Sequence, residues 1–201
     1  MSFRTNRWTK RINGHRNTIW KRKTFLLQSK NCRFKAKGNF CIGQFSYTFH
    51  PDNTRAILDW GRGVWTYKNV WYWGAGCGNI DGHEVGFNIG YGFGDTSAAS
   101  ENVIFYDGVL HKLKNVTFNI PQDSNNNYLY TQPWTFTSND NRFEMNFTPI
   151  MDRASCTDIK FICSNQHQVF GLFSGTMILD DGTKIELKDF LGFAERVYNK
   201  W

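Results

Sequence analysis

The chain has 201 residues, a formal net charge of +7 and 17% aromatic residues, with 18 Phe, 8 Trp and 8 Tyr beside 18 Gly and only 4 Pro. That length allows one domain with its own core, and an aromatic-rich, Gly-punctuated composition points to a β protein. No stretch has the apolar core of a signal peptide or the length of a membrane span, and the five cysteines (Cys32, Cys41, Cys77, Cys156, Cys163) include no C-x-x-C pair. These features exclude a disulfide framework and predict reduced, mostly buried thiols in a cytoplasmic protein.

Charge is unevenly placed. Residues 1–37 hold twelve Lys and Arg and no Asp or Glu, so the rest of the chain is mildly acidic. Residues 1–30 show neither helical nor strand periodicity and read as a solvated, disordered basic leader. A nucleic-acid or anionic-membrane arm is the functional alternative, with Trp8 and Trp20 available for stacking. Nothing further along the chain supports it, and no firm nucleic-acid or membrane partner is assigned.

From residue 31 the pattern has period two. Phe45, Tyr47 and Phe49 alternate with polar residues, as do Val116, Phe118 and Ile120, then Phe143, Met145 and Phe147, then Ile159, Phe161 and Cys163. Alternation of this kind marks strands with one buried face. Asp81-Gly82, Asp107-Gly108 and Asp181-Gly182 are two-residue hairpin signals, and Gly43-Gln44 and Ser138–Asn141 are two further tips. His83 and His111 follow as exposed turn residues. Five hairpins predict an all-β antiparallel meander of about ten strands, closing into a lipocalin-like, calycin-type barrel because open edges are a liability. Pro121–Tyr130 reads as a rim loop, and Asp95 or Thr96 as the cap of a helical turn within Gly94–Asn102. Leu191–Trp201 fits a helix or a closing strand. A faint echo between Ala56–Trp65 and Gly192–Trp201, each with an acid six residues before a Trp, favours the strand.

Two segments concentrate the chemistry. Leu58–Gly78 (LDWGRGVWTYKNVWYWGAGCG) brings together Trp60, Trp65, Trp71, Trp73, Tyr67 and Tyr72 with Asp59, Arg62 and Lys68. It reads as an aromatic core, or as a pocket for an apolar or isoprenoid ligand in which burial raises the acid's pKa and makes it a proton donor. In Val85–Asn102, bulky Val85, Phe87, Ile89, Tyr91 and Phe93 face one way and Gly86, Asn88, Gly90, Gly92 and Gly94 the other, so something approaches the glycine face closely, a neighbouring indole first of all. The Gly90-x-Gly92-x-Gly94 run has the wrong spacing for a dinucleotide fingerprint and lacks a P-loop Lys. The five histidines stand far apart, so no metal site is legible and no cofactor is expected.

At these segments the sequence resembles a known family. DWGRGVWTYKNVWYWGAG, GFNIGYGFGDTSAASEN, PWTFTSNDNRFEMNF and SNQHQVFGLFSGTMILDDGTKIELKDFLGFAERVYNKW are similar, from about Lys30 to Trp201, to the bacterial domain of unknown function 2804. That family looks distantly similar to two-lobed lipocalin-like proteins that include carotenoid hydratases. The resemblance implies that residues 31–201 form a C-terminal lobe of a larger architecture behind an atypical leader, with Asp59-Trp60-Gly61 and Arg62 at the junction between lobes.

The leading functional expectation is a module that binds a small hydrophobic molecule, with Trp60, Arg62, Trp65, Tyr67, Trp71, Trp73 and Asn88 as its lining. The second, implied by the resemblance, is a hydratase or lyase acting at a carbon–carbon double bond. Asp59 would donate the proton while Tyr67, Asp95 or Glu101 positions water.

Overall fold

The alternating segments do become strands, and among the described residues of the computed structural model (2–3, 15–19, 22–93 and 100–200) every helix or strand is a strand. In chain order they are β1 (Ser2–Phe3), β2 (His15–Ile19), β3 (Arg22–Ile42), β4 (Phe45–Phe49), β5 (Arg55–Gly63), β6 (Lys68–Ile80) and β7 (His83–Tyr91). The second half supplies β8 (Val103–Tyr106), β9 (Val109–Lys112), β10 (Val116–Asn119), β11 (Trp134–Ser138), β12 (Phe143–Ile159), β13 (Ile162–Ile178) and β14 (Lys184–Lys200). Leu191–Trp201 is thus strand up to Lys200. Trp8, Trp20, Asp95 and Thr96, together with much of the basic leader, lie outside the described residues.

Nine strands make one antiparallel sheet in the order β10-β11-β12-β13-β14-β6-β7-β8-β9. Its edge strands β9 and β10 are consecutive in sequence, with only Leu113–Asn115 between them. Four Cα steps span at most about 14 Å, so the sheet must curl until its two edges approach. The result is a curled half-barrel, consistent with the expected lipocalin-like all-β fold. A smaller sheet is built on β3, which pairs with β1, β2, β4 and β5 and runs unbroken across residue 30. It packs on the outer face of β6 and β7 through Cys32, which is buried with Val103 and Phe105.

All five expected hairpin tips are turns. Asp81 and Asp107 take φ of 50° and 44°, each followed by a Gly at 88°, the left-handed pair that a tight hairpin requires. A sixth turn was not expected. Ile159, Phe161 and Cys163 read as one strand, but the chain reverses at Lys160, whose φ is 48°, and Ile159 pairs with Ile162. Ile159 and Phe161 are accordingly exposed. Apolar alternation ran through a turn that carries no Gly or Asn to mark it.

The inner face holds the core. Phe87, Phe136, Phe143, Phe147, Phe173 and Trp134 are almost fully buried there, and their rings meet edge-on or tilted, as quadrupoles prefer. Room for these rings comes from glycine. A Cβ at Gly76 would lie 3.0 Å from Phe87 and 3.1 Å from Phe190, and one at Gly171 would lie 2.5 Å from Phe147. The interior of the half-barrel is therefore packed with side chains.

Two smaller expectations are corrected. His111 is buried, and its Nδ1 accepts the backbone N–H of Asp180 at 3.1 Å. Of the five cysteines only Cys32 is buried, while Cys41 and Cys156 are exposed.

Candidate functional site

On β6, Tyr72, Gly74, Gly76 and Gly78 alternate with Trp71, Trp73, Ala75 and Cys77. Gly74 lies under Ile89, and Gly76 and Gly78 under Phe87 and Phe190, so period two sends Trp71 and Trp73 to the other surface. The aromatic core expected of Leu58–Gly78 is corrected here: Trp71 and Trp73 lie on the outer face of the large sheet, Trp73 against Lys30 of the small one. Their surroundings are polar as well as aromatic. Phe93 meets both Trp65 and Trp71, with ring centroids 6.4 and 5.1 Å apart, and Trp73 meets Phe193 at 4.7 Å.

Three acids converge on this aromatic group. Glu195 on β14 is buried, and its two oxygens accept hydrogen bonds from Trp71 Nε1 at 3.0 Å and Gln168 Nε2 at 2.9 Å. Glu101, just before β8, accepts Asn88 Nδ2 at 3.2 Å, while Asn88 Oδ1 accepts the indole N–H of Trp73 at 2.8 Å. Asp59 on β5 is the direct cross-strand partner of Lys30 on β3. Lys30 ties the set together: its Nζ lies 3.2 Å from Glu101 Oε2, 3.8 Å from Asp59 Oδ2 and 3.6 Å from the centre of a Trp73 ring. The side chains of Lys30 and Glu101 are 7% and 8% exposed and that of Asp59 is 36% exposed. Asp59 is thus the member open to solvent.

One ammonium stands among three carboxylates, and two of them, Asp59 and Glu195, are pushed above the ordinary carboxylate range. Burial pushes the Asp59 carboxyl up, Lys30 pulls it back and Glu101 pushes it further up. Burial likewise pushes Glu195 up, against the pull of its Trp71 and Gln168 hydrogen bonds and of Lys30. This is the environment that poises a carboxyl for acid chemistry.

The residues singled out from sequence divide in two. Asp59, Trp65, Trp71, Trp73, Asn88 and Glu101 come together in this seam between the sheets. Trp60 and Arg62 do not, because adjacent residues of a strand face opposite ways; both sit on the far side of β5 from Asp59, and Trp60 is 47% exposed. Tyr67 is exposed in the connection to β6, and Asp95 lies outside the described residues. Asn88 is a buried strut between Trp73 and Glu101, and the object over the glycine face of β7 is Glu101, whose Oε1 would stand 2.6 Å from a Cβ at Gly90. Sequence reasoning missed Lys30, placed in the leader, along with Gln168 and the role of Glu195. The echo between Ala56–Trp65 and Gly192–Trp201 was a usable signal, since its two acids are Asp59 and Glu195.

Among the described residues no three His, Cys, Asp or Glu side chains are grouped as a metal site, and no helix is long and apolar enough to cross a membrane. The fold and seam together define an antiparallel β half-barrel that carries an acid-and-indole cluster on its outer face. The family model described as a domain of unknown function, DUF2804, matches residues 16–201, and the chain belongs to that family. No curated protein and no solved structure matches the chain.

Proposed function

We propose that the seam beneath β3 and β5 binds a small hydrophobic molecule, with the indoles of Trp65, Trp71 and Trp73 as its walls and Asp59 at its mouth. The observation that carries this reading is the placing of a half-open carboxyl, pushed up by burial, beside an aromatic cluster, in a molecule whose inner face is already filled by phenylalanines. Binding sites of this kind combine apolar walls with a few convergent polar groups. Intrinsic fluorescence tests it: titration with isoprenoid and fatty alcohols shifts the tryptophan emission, and Trp71→Phe weakens the response about tenfold, roughly one desolvated aromatic contact. Silence across the whole panel removes the proposal.

A second reading has its own support. Asp59 is raised by burial, held by Lys30 and open on one side, as a general acid must be, and the resemblance to carotenoid hydratases favours protonation of a carbon–carbon double bond. Glu101, which shares Lys30 with Asp59, is the residue proposed to position water. Asp59→Asn would then abolish hydration of an isoprenoid alkene while leaving its binding intact; full turnover in that variant rejects the assignment. A cytoplasmic location belongs to the same proposal, supported by Cys41, Cys156 and Cys163, which form no disulfide.

A further inference from the structure

The opposite, inner face carries a second polar group that the seam does not use. Tyr91, Tyr72, Arg196 and His167 are successive cross-strand partners on β7, β6, β14 and β13, so they form one row across the sheet. The Asn-rich connection between β10 and β11 folds over this row and brings Tyr128 and Tyr130 onto it. Arg196 Nε donates to the Tyr72 hydroxyl at 3.2 Å and Nη1 to that of Tyr130 at 3.4 Å, and the guanidinium carbon stands 4.4 Å from the centre of the Tyr128 ring.

What this arrangement lacks is a counter-ion. Every partner of Arg196 among the described residues is a phenol, and the carboxylate on the neighbouring strand, Asp152, is held by His167 Nδ1 at 2.7 Å. A half-buried guanidinium usually meets a carboxylate, because an unpaired charge out of water is costly. Here N–H groups of Arg196 remain for an acceptor, and the Tyr128 and Tyr130 hydroxyls can turn their protons to the same point. Burial pushes the Tyr72 and Tyr130 phenols up, so they stay protonated donors at neutral pH. Tyr91 packs on the buried Phe118, with ring centroids 5.6 Å apart, and its partly exposed ring offers an apolar flank.

We propose that Arg196, with the Tyr128 and Tyr130 hydroxyls, is an anion site that takes the carboxylate of a small amphipathic molecule. A planar carboxylate matches the guanidinium fork, and its apolar stem runs out over the partly exposed ring of Tyr91. The proposal is independent of the seam, since Arg196 and Glu195 project from opposite faces of β14.

Calorimetric titration of the full chain with octanoate, octanol and inorganic phosphate tests it. Octanoate is expected to bind about tenfold or more tighter than octanol, the effect of charge-assisted hydrogen bonds, and more tightly than phosphate. Arg196→Gln abolishes that preference; Tyr128→Phe with Tyr130→Phe, which keeps the guanidinium, reduces it several-fold and serves if Arg196→Gln does not fold. Equal affinity for octanoate and octanol, a preference that survives in Arg196→Gln or is undiminished in the double phenylalanine variant, or tighter binding of phosphate overturns it. Loss of the alcohol response at Trp71 would leave this result untouched, so the two readings fail separately.

Discussion

Lys30→Met is the sharpest test of the seam. The ammonium is 7% exposed and the Glu101 carboxylate beside it 8% exposed, so the substitution leaves a buried acid facing a thioether. Breaking a buried pair from one side costs about 3–5 kcal/mol; in a chain of this size that is a fall in Tm of roughly 6–20 °C. The loss should depend on pH with a definite sign. Lys30 pulls down both Asp59 and Glu195, so its removal raises both acids further. A raised folded-state acid contributes stability below its ordinary pKa and loses it as pH rises through the raised value. The deficit of Lys30→Met is therefore largest at neutral pH and shrinks on acidification, and Glu101→Gln added to Lys30→Met restores about 0.5–3 kcal/mol as a coupling energy. Urea unfolding of the single and double variants across pH reads all three quantities. A neutral-pH cost below about 1 kcal/mol, or a deficit that does not shrink in acid, would refute the claim that Lys30 neutralises this cluster.

Gly171→Ala places a Cβ 2.5 Å from both Phe147 Cζ and the Thr148 carbonyl, and should cost about 1–3 kcal/mol in thermal unfolding, whereas Gly38→Ala, with nothing within 4 Å, should leave Tm within a degree or two. Ser138→Ala removes the Oγ that accepts the backbone N–H groups of Arg142 and Phe143, each at 2.9 Å; urea unfolding should show a loss of about 1–3 kcal/mol. Tyr91, pushed up by burial from 10.0 to about 12, should appear in ultraviolet titration as a phenol ionising well after the exposed ones. The fold loses that group's contribution as pH rises from about 10 towards 12, and a normal titration of Tyr91 would contradict its burial against Tyr72 and Phe118.

Local chemistry determined a good deal. Asp-Gly pairs place hairpins because the left-handed backbone they tolerate is a property of the dipeptide itself, and alternation around Phe87, Phe118 or Phe147 marks a strand with one apolar face because the pleat has period two. Neither property says which face is the core. On β6 the large indoles looked like the core, yet the inside belongs to Gly74, Gly76 and Gly78, because Ile89, Phe87 and Phe190 from neighbouring strands already fill that space. Lys160 turned the chain without a turn residue, for the same reason: the pairing of β12 with β13, not the local sequence, set the reversal. The seam was the least legible of all. Asp59 and the tryptophans stood out by composition, but Lys30, Glu101 and Glu195 lie up to 165 residues apart in sequence and meet only because β3 pairs with β5 and the last strand returns beside β6. Strand pairing over that separation is decided by the whole core closing at once, and only the tertiary structure records its outcome.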